Sequence, residues 1–340
     1  MDLMTYSEAV LSGDRLALTR LLTQVENNLP EGRASLIELF PQTGKAHLIG
    51  VTGSPGTGKS SLVNQLALHY RKTENKRIAI VAVDPSSPFT GGAVLGDRVR
   101  MRDLSGDPDV FIRSMATRGS LGGLAQSTAN MAQVFDAAGF DIVIIETVGA
   151  GQSEVDIARL AHTTLVVEAP GLGDDIQAIK AGILEIADIL VVNKADRPGV
   201  ENTEKALKSM LELAHPAERV FRHHGSTMRI AAPKQDSSSA PMWIPPIKRT
   251  VSTEGKGITE LAESIAKHLA HLRQSGDWAV RERARLEVEL DALIREALVS
   301  RFRQDVPQQQ YDAVLEKIIQ REISPWEAVR VLMKENNESI

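Results

Sequence analysis

The chain has 340 residues, of which 42% are hydrophobic and 24% charged, and its formal net charge is −5. This composition is typical of a folded globular protein and excludes disorder and nucleic-acid binding through bulk positive charge. Cysteine is absent, which excludes disulfide scaffolds, thiol nucleophiles and thiolate metal sites. No apolar run is long enough for a membrane span, and Asp2 and Glu8 stand where a signal peptide would be basic, so we expect a cytoplasmic protein without membrane contact.

The first two predicted regions follow from hydrophobic periodicity. Apolar residues in 1–45 recur at helical spacing, which predicts a helical N-terminal extension. Between 46 and 272, short runs that are apolar on both faces alternate with helical stretches, as in an α/β domain with a mainly parallel central sheet. The predicted strands cover 47–51, 78–83, 141–146, 164–168 and 188–192.

The later part of the chain has two different patterns. Residues 223–249 contain Ser and Pro clusters without periodicity, which predicts a long loop. Region 273–340 combines dense charge with apolar stripes and predicts long amphipathic helices. The stripe within 277–303 must be buried, and we favour a dimerisation arm over packing against its own domain.

A phosphate-binding loop follows the first predicted strand. The sequence there has the pattern G-x-x-x-x-G-K-S and leads into a predicted helix. Glycines allow backbone N–H groups to wrap around a polyphosphate, Lys59 reaches the terminal phosphates, and Ser60 offers a hydroxyl to Mg²⁺. The candidate phosphate-binding residues are Gly53, Ser54, Pro55, Gly56, Thr57, Gly58, Lys59, Ser60 and Ser61.

A second motif indicates which nucleotide binds. Asn193, Lys194 and Asp196 form N-K-x-D directly after a predicted strand. An aspartate in that place accepts hydrogen bonds from guanine N1 and the exocyclic amine, donors that adenine does not present in this arrangement. The motif therefore predicts GTP or GDP as the ligand. We expect further contacts with the base from Val251, Ser252 and Thr253.

Acidic residues near strand ends predict a magnesium site. Asp84 and Glu146 end predicted strands, and Asp97 follows the first of them. With Ser60, these carboxylates suit the hard cation Mg²⁺. Gly149 follows Glu146 closely enough to present its backbone N–H to a γ-phosphate.

Four longer segments resemble one family. Residues 83–101, 112–125, 140–154 and 173–182 are similar to the MeaB/ArgK G-proteins, and the likeness extends over about 10–300. The resemblance implies a P-loop NTPase of the SIMIBI class that works as a homodimer. It also implies a Mg²⁺-dependent GTPase that is a chaperone for adenosylcobalamin-dependent methylmalonyl-CoA mutase.

The resemblance also implies roles for individual residues. Lys59 and Ser60 match the phosphate-binding and magnesium-binding residues, and Asp84, Asp97 and Glu146 match the acids around Mg²⁺ and the attacking water. Three segments look like the switches of the family, namely 85–100, 146–154 and 173–182. In the third segment, the residues that match those coupling hydrolysis to the partner are Asp174, Gln177 and Lys180. The family's late base loop usually reads Ser-Ala, whereas this chain has Val251-Ser252. Contact there is expected through the backbone alone.

Small G-proteins use a glutamine to orient the attacking water, and this chain has no glutamine at the corresponding position, although Gln152 lies just beyond it. We therefore expect slow intrinsic hydrolysis of GTP. We expect a partner to accelerate turnover by ordering the switches. The resemblance implies that the partner is methylmalonyl-CoA mutase or a relative such as isobutyryl-CoA mutase, and we expect cobalamin to bind to that partner. Two alternatives remain: a metallochaperone GTPase for nickel enzymes, which zero cysteines disfavours, and a P-loop kinase, which leaves N-K-A-D without a purpose.

Several other side chains have two interpretations. The arginines around the first switch either pair with local acids or include an internal arginine finger. His223 and His224 form a solvated loop pair or a metal pair, and Trp243 packs on the domain or binds a partner. The arginines are Arg98, Arg100, Arg102, Arg113 and Arg118.

Overall fold

The computed structural model describes residues 5–85, 101–104, 106–117, 123–147, 153–171, 186–214, 219–223, 226–230 and 242–334. The strands are β1 His47–Thr52, β2 Ile78–Pro85, β3 Val110–Thr117, β4 Ile142–Thr147, β5 Thr163–Glu168, β6 Ile189–Val192, β7 Arg219–His223, β8 Ser226–Ile230 and β9 Ile247–Arg249. The helices are α1 Tyr6–Leu11, α2 Arg15–Glu26, α3 Pro30–Leu39, α4 Lys59–Glu74, α5 Gly123–Ala137, α6 Ser153–Leu160, α7 Val200–Ala214, α8 Ile258–Ser275, α9 Asp277–Asp305, α10 Gln308–Ile319 and α11 Pro325–Lys334. Short 3₁₀ turns cover Phe40–Gln42 and Arg102–Leu104.

A parallel sheet forms the centre of the domain. Its order in the described chain is β3-β2-β4-β1-β5-β6-β9, and every neighbouring pair is parallel. Both faces are buried because alternate strand residues enter two separate cores. Val143 and Ile145 of β4 pack with the N-terminal helices, α5 and α6, whereas Ile142 and Ile144 pack with α4 and α8.

The predicted N-terminal helices and the five predicted strands are present, but the structure adds two strands to the sheet. The prediction of one long loop over 223–249 is wrong, because β8 pairs with β7 and β9 pairs with β6 inside that range. β9 spans three residues, which is too short to show an alternating pattern. The polar residues Arg113 and Ser114 interrupt the apolar run of β3 and conceal it.

The chain divides into two compact units, 1–284 and 285–340. In the second unit, Val306, Val314, Ala328 and Leu332 form a small apolar core, so the predicted C-terminal amphipathic helices are present. No helix in the described parts of the chain combines the length and the apolar character needed to cross a bilayer.

Candidate nucleotide-binding site

The phosphate loop connects β1 to α4 at the carboxyl edge of the sheet. Gly53 has φ of 131° and Gly58 has φ of 91°, a region that glycine adopts without strain. A Cβ atom on Gly53 would lie 2.1 Å from the carbonyl oxygen of Val167, and one on Gly58 would lie 2.6 Å from Asn193 Nδ2. Both positions therefore require glycine for space as well as for backbone conformation. Between them, Thr57 Oγ1 donates to the Ser54 carbonyl oxygen at 2.9 Å and closes the turn.

Lys59 begins α4 and is folded onto the loop. Its Nζ donates to the carbonyl oxygens of Gly53 at 2.7 Å and Ser54 at 3.0 Å. The ammonium group is buried and stands at the N-terminus of α4, where the helix dipole also favours an anion. The next residues differ in exposure, since Ser60 is buried and Ser61 is exposed.

Ser60 joins the phosphate loop to the end of β4. Its hydroxyl donates to Glu146 Oε1 at 2.6 Å, and Glu146 is buried. The register places Glu146 beside Val51 of β1, two residues before Gly53. A hydroxyl and a carboxylate together are the hard oxygen donors that Mg²⁺ prefers, so this pair fits a magnesium ion.

Asn193 connects the guanine motif to two other loops. Its Nδ2 donates to the Thr57 carbonyl oxygen at 2.8 Å. Its Oδ1 accepts from Thr250 Oγ1 at 3.1 Å, from Ser252 N at 3.2 Å and from Ser252 Oγ at 2.8 Å. Lys194, with φ of 55°, donates through Nζ to the Gly56 carbonyl oxygen. The motif is thus fixed to the phosphate loop by two side chains.

The loop after β9 lies beside the guanine motif. Val251 and Ser252 are buried, whereas Thr253 and Asp196 are exposed. Val251 N donates to the Lys256 carbonyl oxygen at 3.0 Å. The ion pair with Glu254 raises the pKa of Lys256, and Asp196 adds to this effect. Asp196 therefore lies within electrostatic reach of this loop, close to where a base would bind.

Sequence reasoning did not identify Thr250, although it precedes the predicted base loop directly. Its hydroxyl contact with Asn193 is between residues 57 positions apart, and no local pattern reveals such a contact. The carbonyl oxygen of Glu168 is a second partner, since it accepts from Asn193 N at 2.8 Å.

Several predicted residues cannot be located in the site. Asp97, Gly149 and Lys180 lie outside the described residues. The same holds for the switch residues Gln152, Asp174 and Gln177. Asp84 is on β2, in register with Ala116 of β3, so its backbone is at the carboxyl edge of the sheet.

Two of the ambiguous side chains now have partners. Arg113, on β3, forms an ion pair with Glu26 of α2. The pairing with an acid is therefore present, but the partner is 87 residues away in the chain and is not a local acid. Trp243 donates through Nε1 to the Asp188 carbonyl oxygen at 2.8 Å, so the ring packs on its own domain. The side chains of Arg98, Arg100, Arg102, Arg118, His223 and His224 lie outside the described parts of the structure.

Comparison with known proteins identifies the family. Residues 18–306 match the family described as methylmalonyl-CoA mutase-associated GTPase MeaB. The chain belongs to the MeaB family. A relative from Pyrococcus abyssi is 42% identical over 328 residues, which cover 96% of this chain and 95% of the relative. The mitochondrial methylmalonic aciduria type A homolog of Caenorhabditis elegans is 30% identical over 309 residues, covering 87% of this chain and 73% of that protein.

A solved structure agrees with this membership. The crystal structure of an LAO/AO transport system kinase superposes with a TM-score of 0.65 at 26% identity, covering 97% of this chain and 95% of that one. The resemblance to MeaB, the α/β P-loop fold and the assignment to the GTPases are confirmed. This MeaB-family chain is therefore a P-loop GTPase.

Proposed function

We propose that this MeaB-family GTPase is a Mg²⁺-dependent chaperone for an adenosylcobalamin-dependent acyl-CoA mutase. The observation that carries the proposal is the match of 18–306 to a family of mutase-associated GTPases. Hydrolysis of GTP to GDP and phosphate gates the loading or protection of the mutase cofactor. The partner is methylmalonyl-CoA mutase or an isobutyryl-CoA mutase type of enzyme, and the protein acts in the cytoplasm.

In this proposal, GTP lies between the phosphate loop and the guanine motif. Backbone N–H groups of 53–60 bind the phosphates, and Lys59 Nζ leaves the Gly53 and Ser54 carbonyl oxygens to reach them. Asp196 accepts from guanine N1 and the exocyclic amine, while Asn193 and Lys194 keep the base loop and the phosphate loop together. The support is the set of Asn193 contacts, which fix both ends of the site relative to each other.

Magnesium is assigned to Ser60 and Glu146, with Asp84 and Asp97 as the further acids. The support is the direct contact of the Ser60 hydroxyl with the Glu146 carboxylate. Bound Mg²⁺ supplies positive charge that neutralises the phosphate oxygens. Glu146 and Asp97 hold and orient the attacking water, Gly149 donates its N–H to the γ-phosphate, and Lys180 couples turnover to the partner.

We further propose that a homodimer forms through region 273–340, with 46–272 as the G domain and 1–45 as its helical extension. The support comes from α9, which leaves Leu290, Leu298 and Val299 between 51% and 60% exposed. A second copy of the chain would remove this apolar surface from water. Analytical ultracentrifugation should show a dimer that Leu290→Glu/Leu298→Glu converts to a monomer.

The test is a steady-state GTPase assay with and without purified mutase. We expect turnover to rise by about tenfold or more when the mutase is added, because the partner orders the switches. Lys180→Ala should reduce this rise while calorimetry shows unchanged GTP affinity, and Lys205→Ala on the exposed face of α7 is the matched control. Equal stimulation of wild type and Lys180→Ala would remove Lys180 from the coupling. No stimulation by either mutase would overturn the chaperone role.

Nucleotide identity is tested separately by calorimetry with GTP and ATP. We expect about 100-fold or greater preference for GTP, equal to about 2.7 kcal/mol, because adenine lacks the donors that Asp196 reads. Lys59→Ala should abolish turnover. Equal affinity for ATP and GTP would contradict guanine recognition.

A further inference from the structure

A cluster of buried polar side chains lies at the opposite edge of the sheet from the phosphate loop. His47 begins β1, Thr163 begins β5, and Asp188 directly precedes β6. Thr163 Oγ1 lies 2.8 Å from His47 Nε2 and 2.9 Å from Nδ1 of His268, a residue of α8. His268 Nε2 is 3.2 Å from Asp188 Oδ1. The side chains thus form one continuous polar chain inside the domain.

The first two turns of α9 cover this cluster. Arg281 donates to both carboxylate oxygens of Asp188, at 2.7 and 2.8 Å. Trp278 stacks on His162 with ring centroids 3.8 Å apart, and Glu282 Oε1 lies 2.7 Å from His162 Nε2. Segment 277–284 is therefore attached to the sheet mainly through ionisable groups.

His162 is held in an arrangement that suits only its neutral form. Its Nδ1 accepts the backbone N–H of Leu48 at 3.0 Å, so this nitrogen cannot carry a proton while that bond exists. The single ring proton is then on Nε2, directed at Glu282. A second proton would have to bind to Nδ1 of His162, where its N–H group would face the N–H group of Leu48 and repel it. Glu282 favours a charged ring, but it lies beside the ring only while segment 277–284 is in place, where the bond from Leu48 excludes the second proton.

His47 is also neutral in the folded protein. Burial lowers its pKa well below the ordinary value, and His162, His268 and Arg273 lower it further, against a smaller opposing effect of Asp188. Asp188 stays ionised: burial would raise its pKa, but the bonds from His268 and Arg281 outweigh burial and hold the pKa below its usual range. The ionisable groups that act on His47 are His162, His268, Arg273 and Asp188, and Glu282 faces His162. Arg281 pairs with Asp188, and Asp277, which lies 3.8 Å from His271, acts on Arg281.

We propose that segment 277–284 is an acid-releasable latch, which leaves the sheet when His47 and His162 are protonated between about pH 7 and about pH 5.5. Release lifts Trp278 from both rings, admits water and lets the His162 ring rotate away from Leu48, so each histidine gains a proton at its ordinary pKa of about 6.5. Because the open state binds more protons, lower pH favours opening. Asp188 and Arg281 remain charged across this range and oppose release, which sets the threshold. This regulation is independent of the proposed mutase partner.

The test is amide hydrogen exchange of the full-length protein at several pH values, with labelling times scaled for the intrinsic rate. Below pH 6.5, protection of 277–284 should fall by about tenfold per pH unit for each proton taken up. Peptides of β6, and the amides of β1 beyond Leu48, should keep their protection. This wild-type series decides the proposal without any variant: constant protection of 277–284, or equal loss in β6 and in β1 beyond Leu48, would overturn it.

A variant assigns the effect to the two histidines. In His47→Gln/His162→Asn, the glutamine amide can donate to or accept from Thr163, and the asparagine oxygen keeps the acceptor for Leu48 N–H. We expect protection of 277–284 to become independent of pH, whatever its absolute level. His69→Gln, on α4 outside the cluster, should behave as wild type. Retained pH dependence in the double variant would refute the assignment.

Discussion

The side-chain amide of Asn193 donates to the main-chain carbonyl oxygen of Thr57 at 2.8 Å, which attaches the guanine motif directly to the phosphate loop. The same side chain accepts hydrogen bonds from Thr250 and Ser252. Three loops that follow different strands therefore meet at one buried amide. A ligand that spans the guanine and phosphate ends of the site would contact segments whose separation is already fixed, which lowers the ordering cost of binding.

Asn193→Ala should weaken GTP binding by about 10- to 100-fold, or about 1.4 to 2.7 kcal/mol. The alanine leaves the Thr57 carbonyl oxygen and the Thr250 and Ser252 donors without their partner, so the loops lose their common attachment. Calorimetry measures the affinity, and Asn202→Ala on the exposed face of α7 is the control. Affinity within about twofold of wild type would show that this contact does not organise the site.

Gly53→Ala should destabilise the protein by about 3 kcal/mol or more, because the new Cβ atom collides with backbone. The atom would lie 2.1 Å from the Val167 carbonyl oxygen. Gly44→Ala separates this effect from backbone strain, since Gly44 also has positive φ, 87°, but no atom within 4 Å of its Cβ position. We expect that control to cost about 1 to 2 kcal/mol. Urea unfolding measures the free energy of unfolding of both variants. Equal losses in the two variants would contradict the destabilising effect of the contact between the Cβ atom at position 53 and the Val167 carbonyl oxygen.

The sequence predicts the centre of the sheet better than its edges. Strands such as β4 are apolar on both faces because helices cover both sides, and this pattern is visible in isolation. The edge strand β3 is interrupted by Arg113, which the structure pairs with Glu26 of α2. Because that partner is 87 residues away, nothing near Arg113 in the chain shows that its charge is neutralised.

In the candidate site, too, the sequence predicts some features and not others. Its phosphate loop and guanine motif are contiguous, so spacing alone identifies them. The hydroxyl of Thr250 acts through a distant residue and could not be found in that way. The cluster around His47 and Asp188 is a stronger case, since its members become neighbours only when parallel strands place their starting residues at one edge.

Arg281→Ala should lower the free energy of unfolding by about 2 to 3 kcal/mol at pH 7, because it leaves the buried Asp188 carboxylate without its cation. The value is below that of a fully buried pair since the Arg281 side chain is 35% exposed. Lys208→Ala is the control, because the Lys208 side chain is 61% exposed and Glu204 keeps Arg249 as a partner, so we expect a loss of about 0.5 kcal/mol or less. Urea unfolding compares the three proteins, and equal stability of Arg281→Ala and wild type would contradict the role of the ion pair.

The same variant has a predicted pH dependence. The pKa of Asp188 is held below its usual range in the folded protein, so ionisation of Asp188 stabilises the fold above the unfolded pKa of about 3.9. That contribution is lost as the pH falls through the lower folded value. In Arg281→Ala the cation no longer offsets burial, so Asp188 takes up a proton at a higher pH than in wild type, and acid release of segment 277–284 separates Arg281 from Asp188 in wild type. The difference between the two proteins should therefore be largest near pH 7 and shrink as the pH falls towards 4. A difference that stays unchanged from pH 7 to pH 4 would contradict this role of the Asp188 charge.

Glu146→Gln should lower kcat by about 100-fold and raise the Mg²⁺ concentration needed for half-maximal turnover. Glutamine preserves the shape and can still accept from Ser60 through its amide oxygen, but it removes the negative charge beside the hydroxyl. A hard dication depends on that charge, whereas a hydrogen bond that only positions Ser60 does not. Steady-state assays across a Mg²⁺ titration separate the two roles, with Glu38→Gln on the surface of α3 as the control and Tm as the check on folding. An unchanged Mg²⁺ requirement in a folded variant would reduce Glu146 to a positioning residue for Ser60.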